Sequence, residues 1–447
     1  MNETYLRHLQ DIVRIPTVST ENDAATDWTQ FDRLHEFLRT AYPRMHARME
    51  RTVIGRASLL YRWKAARPKR LPVLLMAHQD VVPPGNLDQW THDPFGGDIA
   101  EGCLWGRGSN DCKSLLIAEC EAVEELLAEG FEPDFDIYLS FGHNEEVQAD
   151  DEHKGSVLAG QYLAAQGVKL GCLFDEGGFI TPGEENGSGA DIAFVALGEK
   201  SPNDFVLYKD GPGGHASKPG AHTVLGDVAR AMAAVEAHPM PYRLTPLAEA
   251  QLAALAPLQE GARQELYADP RGHWDALCAL AREDRDLDAI LHTTLAVTKA
   301  SGSPQTNVLP AHAECTMSVR ILQGDTVVSV KDYLESIMPD GVQVKVTFGE
   351  DPHPAGSVES AEYRLLQRVV RELYGADTAV VPMVMTGATD ARNYSAVCDN
   401  IFRFTGRVVT KDWGEAHQID EKVPADVVEP AVRFFKAYLR AYQPEAR

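Results

Sequence analysis

The chain has 447 residues, 44% hydrophobic and 24% charged, ordinary proportions for a globular protein with a sizeable core. Its 42 basic and 66 acidic side chains leave a formal charge of −24, which argues against nucleic acid or an anionic membrane surface as a partner because both would be repelled. Uninterrupted apolar runs, such as 73–77, fall far short of the ~18 residues that cross a bilayer.

The opening MNETYLRHLQDIVRIP has no basic segment leading into an apolar stretch, so it does not read as a secretory signal. Seven cysteines, an odd number without a CxxC pair, argue against a disulfide framework and a thiolate zinc site. A reducing cytoplasm is the expected setting. Strand-length apolar runs come at 72–77, 135–141 and 171–174. A helix-period segment at 114–129 puts Leu115, Leu116, Cys120, Val123, Leu126 and Leu127 on one face, with Gly130 as a stop. Strands apolar on both faces and alternating with helices predict an α/β fold whose mostly parallel, mixed sheet is flanked by helices.

The pattern changes between about 195 and 351. Runs at 205–209, 291–300 and 313–321 alternate as in a sheet with one open face, and an Ala/Leu/Glu-rich helical stretch fills about 244–290. We expect 195–351 to be an inserted α+β domain and 1–194 with 352–447 to form the outer one. The outer domain would regain a strand at 379–385 and a final helix carrying Val427, Val428, Ala431, Phe434, Phe435, Tyr438 and Leu439.

Each early strand leads into groups that are costly to bury. The run at 72–77 ends in His78-Gln79-Asp80, that at 135–141 in Gly142-His143-Asn144-Glu145-Glu146, and that at 171–174 in Asp175-Glu176-Gly177-Gly178. Asp111 closes Gly106-Arg107-Gly108-Ser109-Asn110-Asp111 at the mouth of the 114–129 helix. Ligands of open α/β sheets bind beyond the carboxyl ends of strands, so these groups would converge on one edge. Carboxylates crowded there repel one another, and a cation is the usual remedy. Singly, each feature has a plain reading. A lone His after a strand is ordinarily structural, a Glu pair is ordinarily a solvated loop, and Gly106-x-Gly108 is no dinucleotide fingerprint because Asp111 takes the last glycine position. The combination carries the information. GxSxG, HExxH and GxxxxGK[ST] patterns are absent, which removes sequence support for a serine hydrolase, a zincin and a P-loop NTPase.

The strings LLMAHQDVVPP, WTHDPFGGDIAEGCLWGRGSNDCKS, FGHNEE, LFDEGG, GPGGHAS, NVLP and GEAHQIDE run in that order from residue 74 to residue 421. Together they resemble the co-catalytic dimetal exopeptidases, the family of glutamate carboxypeptidase, carboxypeptidase S, aminoacylase, carnosinase-type dipeptidases and succinyl-diaminopimelate desuccinylase. WTHDPF and LFDEGG look closest to the carboxypeptidase S and aminoacylase branch. The resemblance implies His78 and Glu176 on one metal, Glu146 and His417 on the other, and Asp111 bridging both. It makes Glu145 the general base and Asp80 the carboxylate that orients His78. Asp175 and Glu176 are adjacent candidates for the third acidic ligand, with the aminoacylase-like reading favouring Glu176. Nitrogen and oxygen donors suit two divalent ions, zinc first, with cobalt or manganese as alternatives. Three ligand carboxylates and a bridging hydroxide would balance their charge.

By the same resemblance the inserted domain is a lid and dimerisation domain. His215 in the glycine-rich GPGGHAS loop would reach the neighbouring subunit's site and stabilise the oxyanion; the string alone reads as a flexible loop with an exposed His. Asn307 and Arg320 would contact substrate, the arginine fork reading a carboxylate, although a strand-end surface charge is the plain alternative. In Gly387-Ala388-Thr389-Asp390-Ala391-Arg392, Thr389 comes before Arg392 as a substrate contact. The implied protein is a homodimeric, cytoplasmic metallohydrolase of a small peptide or N-acyl amino acid with a free carboxylate. The alternatives are a dipeptidase or a biosynthetic N-deacylase or desuccinylase. A non-catalytic ligand-binding relative is disfavoured because all five ligands and Glu145 are kept. Asn144, Ser114 and the acidic VQADDEHKGS stretch depart from the family pattern and bear on substrate choice.

Overall fold

A computed structural model describes residues 2–443. The chain forms two compact units, one of Met1–Leu197, Gly356–Pro382 and Thr389–Arg447, the other of Gly198–Ala355 and Met383–Ala388.

The first unit is built on a mixed sheet. Its strands lie in the order Glu50–Ile54, Ser58–Trp63, Ile137–Gly142, Val73–His78, Cys172–Asp175, Ile401–Arg403, Ile192–Glu199 and Ala379–Met385. The middle is parallel: Val73–His78 runs beside both Ile137–Gly142 and Cys172–Asp175, and Ile401–Arg403 runs beside Cys172–Asp175. The register pairs His78 with Gly142, so these two strands finish level and their following loops leave the same edge. Every residue of Val73–His78 and Ile137–Gly142 is buried, which is why neither strand alternates in sequence. On one face Leu60, Leu74, Met76, Tyr138 and Leu173 pack with Ala159, Leu163 and Tyr394. On the other, Phe174 meets Phe434, Phe435 and Tyr438 of the Val428–Ala441 helix edge-on.

The predicted helix at 114–129 forms as Ser114–Ala128 but is not amphipathic in place. Residues 114–124 and Leu126 are all buried, because the helix is enclosed by the sheet, the Val428–Ala441 helix and two N-terminal helices. Three of its four acids, Glu119, Glu121 and Glu124, are therefore interior. Glu121 accepts from Tyr42 Oη, and Glu124 accepts from the amides of Arg44 and Met45.

The second unit has an antiparallel sheet in the order Thr294–Ser301, His312–Ile321, Ser201–Asp210 and Gln343–Phe348. Ala313, Cys315, Met317, Val319 and Ile321 alternate into a core with the Val224–Ala237 and Val327–Ile337 helices. The strand expected at 291–300 begins only at Thr294, since Leu291 ends the Arg285–Leu291 helix. The helical stretch comprises Pro246–Leu255, Gly261–Ala268, Trp274–Ala281 and Arg285–Leu291. Residues 383–388, assigned to the outer domain from sequence, belong here: Gln251 Oε1 accepts from Val384 N, and Met385 O accepts from Lys200 N, both at 2.9 Å. No described helix is long and apolar enough to cross a membrane.

Candidate metal centre

Five residues from separated parts of the first unit meet beyond the carboxyl ends of the parallel strands. His78 is the last residue of its strand; Asp111 precedes the Ser114–Ala128 helix; Glu146 and Glu176 follow the strands ending at Gly142 and Asp175. His78 Nε2 lies 2.9 Å from Asp111 Oδ1 and 3.6 Å from Glu176 Oε1. His417 Nε2 lies 3.1 Å from Asp111 Oδ2 and 2.9 Å from Glu146 Oε2. Asp111 thus turns one oxygen to each imidazole. Donor atoms of His78, Asp111, Cys112 and Glu176 lie within 4.8 Å of one another, and so do those of Asp111, Glu146 and His417.

The donor set fits a pair of divalent cations. Glu146 Oε1 is buried without a hydrogen-bond partner among the described residues, an orphan that a cation would satisfy. Cys112 adjoins the first group, but its sulfur is engaged with His78, accepting from the main-chain N at 3.2 Å, and burial holds its thiol well above the ordinary value. The remaining donors are imidazole nitrogen and carboxylate oxygen, the set that suits zinc, cobalt or manganese.

Electrostatics point the same way. Burial pushes Glu176 up to about 8, with Asp111 adding repulsion. Burial likewise raises Glu146, and it raises Glu145 well above the carboxylate range with help from Asp390 and Glu176. Asp111 goes the other way: hydrogen bonds with His417 and His78 overcome its burial and hold it below the ordinary range. Hydrogen bonds to Asp111 and Glu146 lift His417 to about 10. So many acids in so little water favour a bound cation.

The supporting shell is specific. Between Asp175 and Glu176, only Glu176 faces His78; the Asp175 carboxylate accepts instead from the amides of Glu176 and Ala391. His78 Nδ1 is 2.9 Å from the main-chain oxygen of Asp80 and 3.6 Å from its carboxylate, so the expected orienting contact runs chiefly through the backbone. The Asp80 carboxylate accepts from Ser19 Oγ and from the amides of Glu145 and Glu146. The two family departures have structural uses. Asn144 ties its loop shut through His153 O and Gly155 N, and Ser114 Oγ accepts from Arg407. Gly108 is required: it has φ 82°, and a Cβ there would stand 2.4 Å from Val81 Cγ1.

The remaining candidates are placed differently. Thr389, expected at substrate, is 1% exposed, and its hydroxyl accepts from Arg403 at 3.2 Å, so it is committed to the fold. Partly buried Arg392 donates to Thr389 O. His215, Asn307 and Arg320 belong to the second unit. His215 is exposed, pairs with Val308 and makes a 2.7 Å hydrogen bond with Ser217 Oγ. Exposed Asn307 accepts from Ala216 N. Arg320 sits on the open sheet face, in register with Pro202 and Thr294. Sequence reasoning missed Glu421, Lys154 and Asp390. All three lie inside quoted strings without a role assigned, Lys154 in the VQADDEHKGS stretch.

The family model described as "Peptidase family M20/M25/M40" matches residues 74–441. "Probable carboxypeptidase S-like 2" of Dictyostelium discoideum is 31% identical over 91% of this chain and 78% of its own. "N-fatty-acyl-amino acid synthase/hydrolase PM20D1.1" of Danio rerio is 30% identical over 97% and 84%. The crystal structure of the M20 family metallo-carboxypeptidase Sso-CP2 from Sulfolobus solfataricus aligns with a TM-score of 0.73 at 18% identity, covering 99% of both chains, and shows the same fold.

Proposed function

We propose that this chain, which belongs to peptidase family M20/M25/M40 and is a metal-dependent amide hydrolase, acts on a small peptide or N-acyl amino acid with a free carboxylate. The observation that carries the reading is Asp111, with one oxygen toward His78 and the other toward His417. His78, Asp111 and Glu176 would hold one cation, and Asp111, Glu146 and His417 the other, zinc being our assignment for both. When bound, two such ions polarise a carbonyl and lower the pKa of a shared water.

The chain's own residues do the rest. Glu145, adjacent to a ligand but not one itself, would take the water's proton and deliver it to the leaving amine. Its carboxyl is pushed up by burial, Asp390 and Glu176, which suits a group that must both accept and release a proton. Asp80 would steady His78 and the Glu145 amide. His215 is assigned to the oxyanion of the neighbouring subunit's site in a homodimer, with Asn307 and Arg320 reading substrate from the same lid domain; Arg392 is retained as a contact and Thr389 as its support. Seven free, buried cysteines support a reducing, cytoplasmic setting.

Purified protein supplied with zinc, cobalt or manganese should cleave such substrates and stop on chelation. A panel of dipeptides against N-acyl amino acids separates a dipeptidase from a deacylase. Turnover of neither class by metal-loaded protein would overturn the proposal.

A further inference from the structure

We propose that Lys154 and Asp390 form a buried brace that holds the Glu145–Glu146 segment in its working conformation. Both are positioning residues, and the inference rests on the hydrolytic reading above. Lys154 immediately precedes the Gly155–Ala165 helix and is 6% exposed. Its Nζ donates to the carbonyls of Asn144 at 2.7 Å, Glu145 at 2.8 Å and Val147 at 3.3 Å. An ammonium has three N–H donors, so the loop carbonyls consume all of them.

The counter-charge comes from far along the chain. Asp390 Oδ1 lies 3.3 Å from the same Nζ. The carboxylate is buried, and neither oxygen accepts a hydrogen bond among the described residues, so Asp390 contributes charge to Lys154 rather than a further hydrogen bond. Room for it is made by Gly142, where a Cβ would fall 3.0 Å from Asp390 Oδ2. The Asp390–Tyr394 turn is in turn locked to the Gly155–Ala165 helix: Asn393 Nδ2 donates to Ser156 Oγ, and a Cβ at Gly160 would meet Asn393 O at 2.4 Å.

The segment is therefore held from two sides by opposite charges. Asp80 takes the amides of Glu145 and Glu146, while Lys154 takes the carbonyls of Asn144, Glu145 and Val147. Removing the ammonium would strand three carbonyls and leave Asp390 uncompensated. The loop would relieve both by turning, which would carry Glu146 away from His417 and displace Glu145 beside it.

The test compares wild type, Lys154→Met, Lys154→Arg and Asp390→Asn as full-length, cobalt-loaded protein, by kcat, KM, visible cobalt absorption and thermal midpoint. Lys154→Met should lose about 100-fold in kcat, the scale of a misplaced reacting group, with KM changed by less than roughly threefold. Its cobalt spectrum should shift as Glu146 reorients. Lys154→Arg should recover part of both, and Asp390→Asn should fail in the same direction by about tenfold. Folded Lys154→Met with wild-type kcat and cobalt spectrum would overturn the brace. Should that variant not fold, the near-isosteric Asp390→Asn decides by the same two readouts. A wild type that cleaves no substrate defeats the functional reading alone, since the cobalt spectra still judge the brace.

Discussion

Glu421 and Arg107, 314 residues apart, form an ion pair of 2.7 Å with both side chains out of water. Glu421 also accepts from the amides of Gly108, Asn110 and Asp111. One carboxylate thereby fastens the chain near His417 to the loop that presents Asp111. Removing one partner of a buried pair costs about 3–5 kcal/mol, so Glu421→Ala should destabilise on that scale in urea unfolding and lose activity through Asp111. Glu421→Gln, which keeps the shape, should lose less. A change below about 1 kcal/mol for the alanine variant would show that the pair is not a fastening.

Glu145 bonds neither imidazole, unlike Glu146 and Asp111. Glu145→Ala should therefore retain two metal equivalents by elemental analysis while turnover falls about 10²–10⁴-fold. Undiminished turnover would remove Glu145 from the proton-transfer role.

His215 is solvent-exposed, with Ser217 as its hydrogen-bond partner. If it serves the neighbouring subunit, Glu145→Ala and His215→Ala proteins, each inactive alone, should regain one working site per mixed dimer. Verified mixed dimers without activity would place the assistance within one subunit, or nowhere.

Lys200 supplies a pH signature in the second unit. Burial pushes its ammonium down from 10.5 to about 7. Its Nζ nonetheless donates to Ala289 O, His292 O and Thr294 Oγ1, each at 2.9 Å. Between those two pH values the unfolded chain binds more protons than the folded one. The group's contribution is therefore full above 10.5 and is lost as pH falls through 7, with a slope of at most about 1.4 kcal/mol per pH unit. Lys200→Met should flatten that part of the stability–pH curve, measured by denaturant unfolding at several pH values. An unchanged slope would show that Lys200 stays protonated when folded.

What could be read from sequence depended on how local each signal was. Strands such as Val73–His78 announce themselves because both faces are buried. Three of the candidate ligands, His78, Glu146 and Glu176, announce themselves at or just beyond the ends of such strands, whereas Asp111 precedes a helix and His417 lies in a loop. The resemblance favoured Glu176 over Asp175 without a geometric reason; in the structure the two neighbours point in different directions, and only Glu176 faces His78. Glu421 and Asp390 were unreadable for another reason. Their partners lie hundreds of residues away, and no periodicity encodes an ion pair across that separation. Thr389 matched a motif yet spends its hydroxyl on Arg403, a contact that only packing creates. Glu119 was concealed by its helix: the apolar stripe implied a wet opposite face, whereas both its oxygens are buried without hydrogen-bond partners among the described residues.

That helix starts three residues after Asp111 and has almost no wetted surface. A segment so enclosed has little freedom to fray by itself. On warming, loss of the catalyst and collapse of the interior should coincide, leaving no stage at which a folded but inert shell survives.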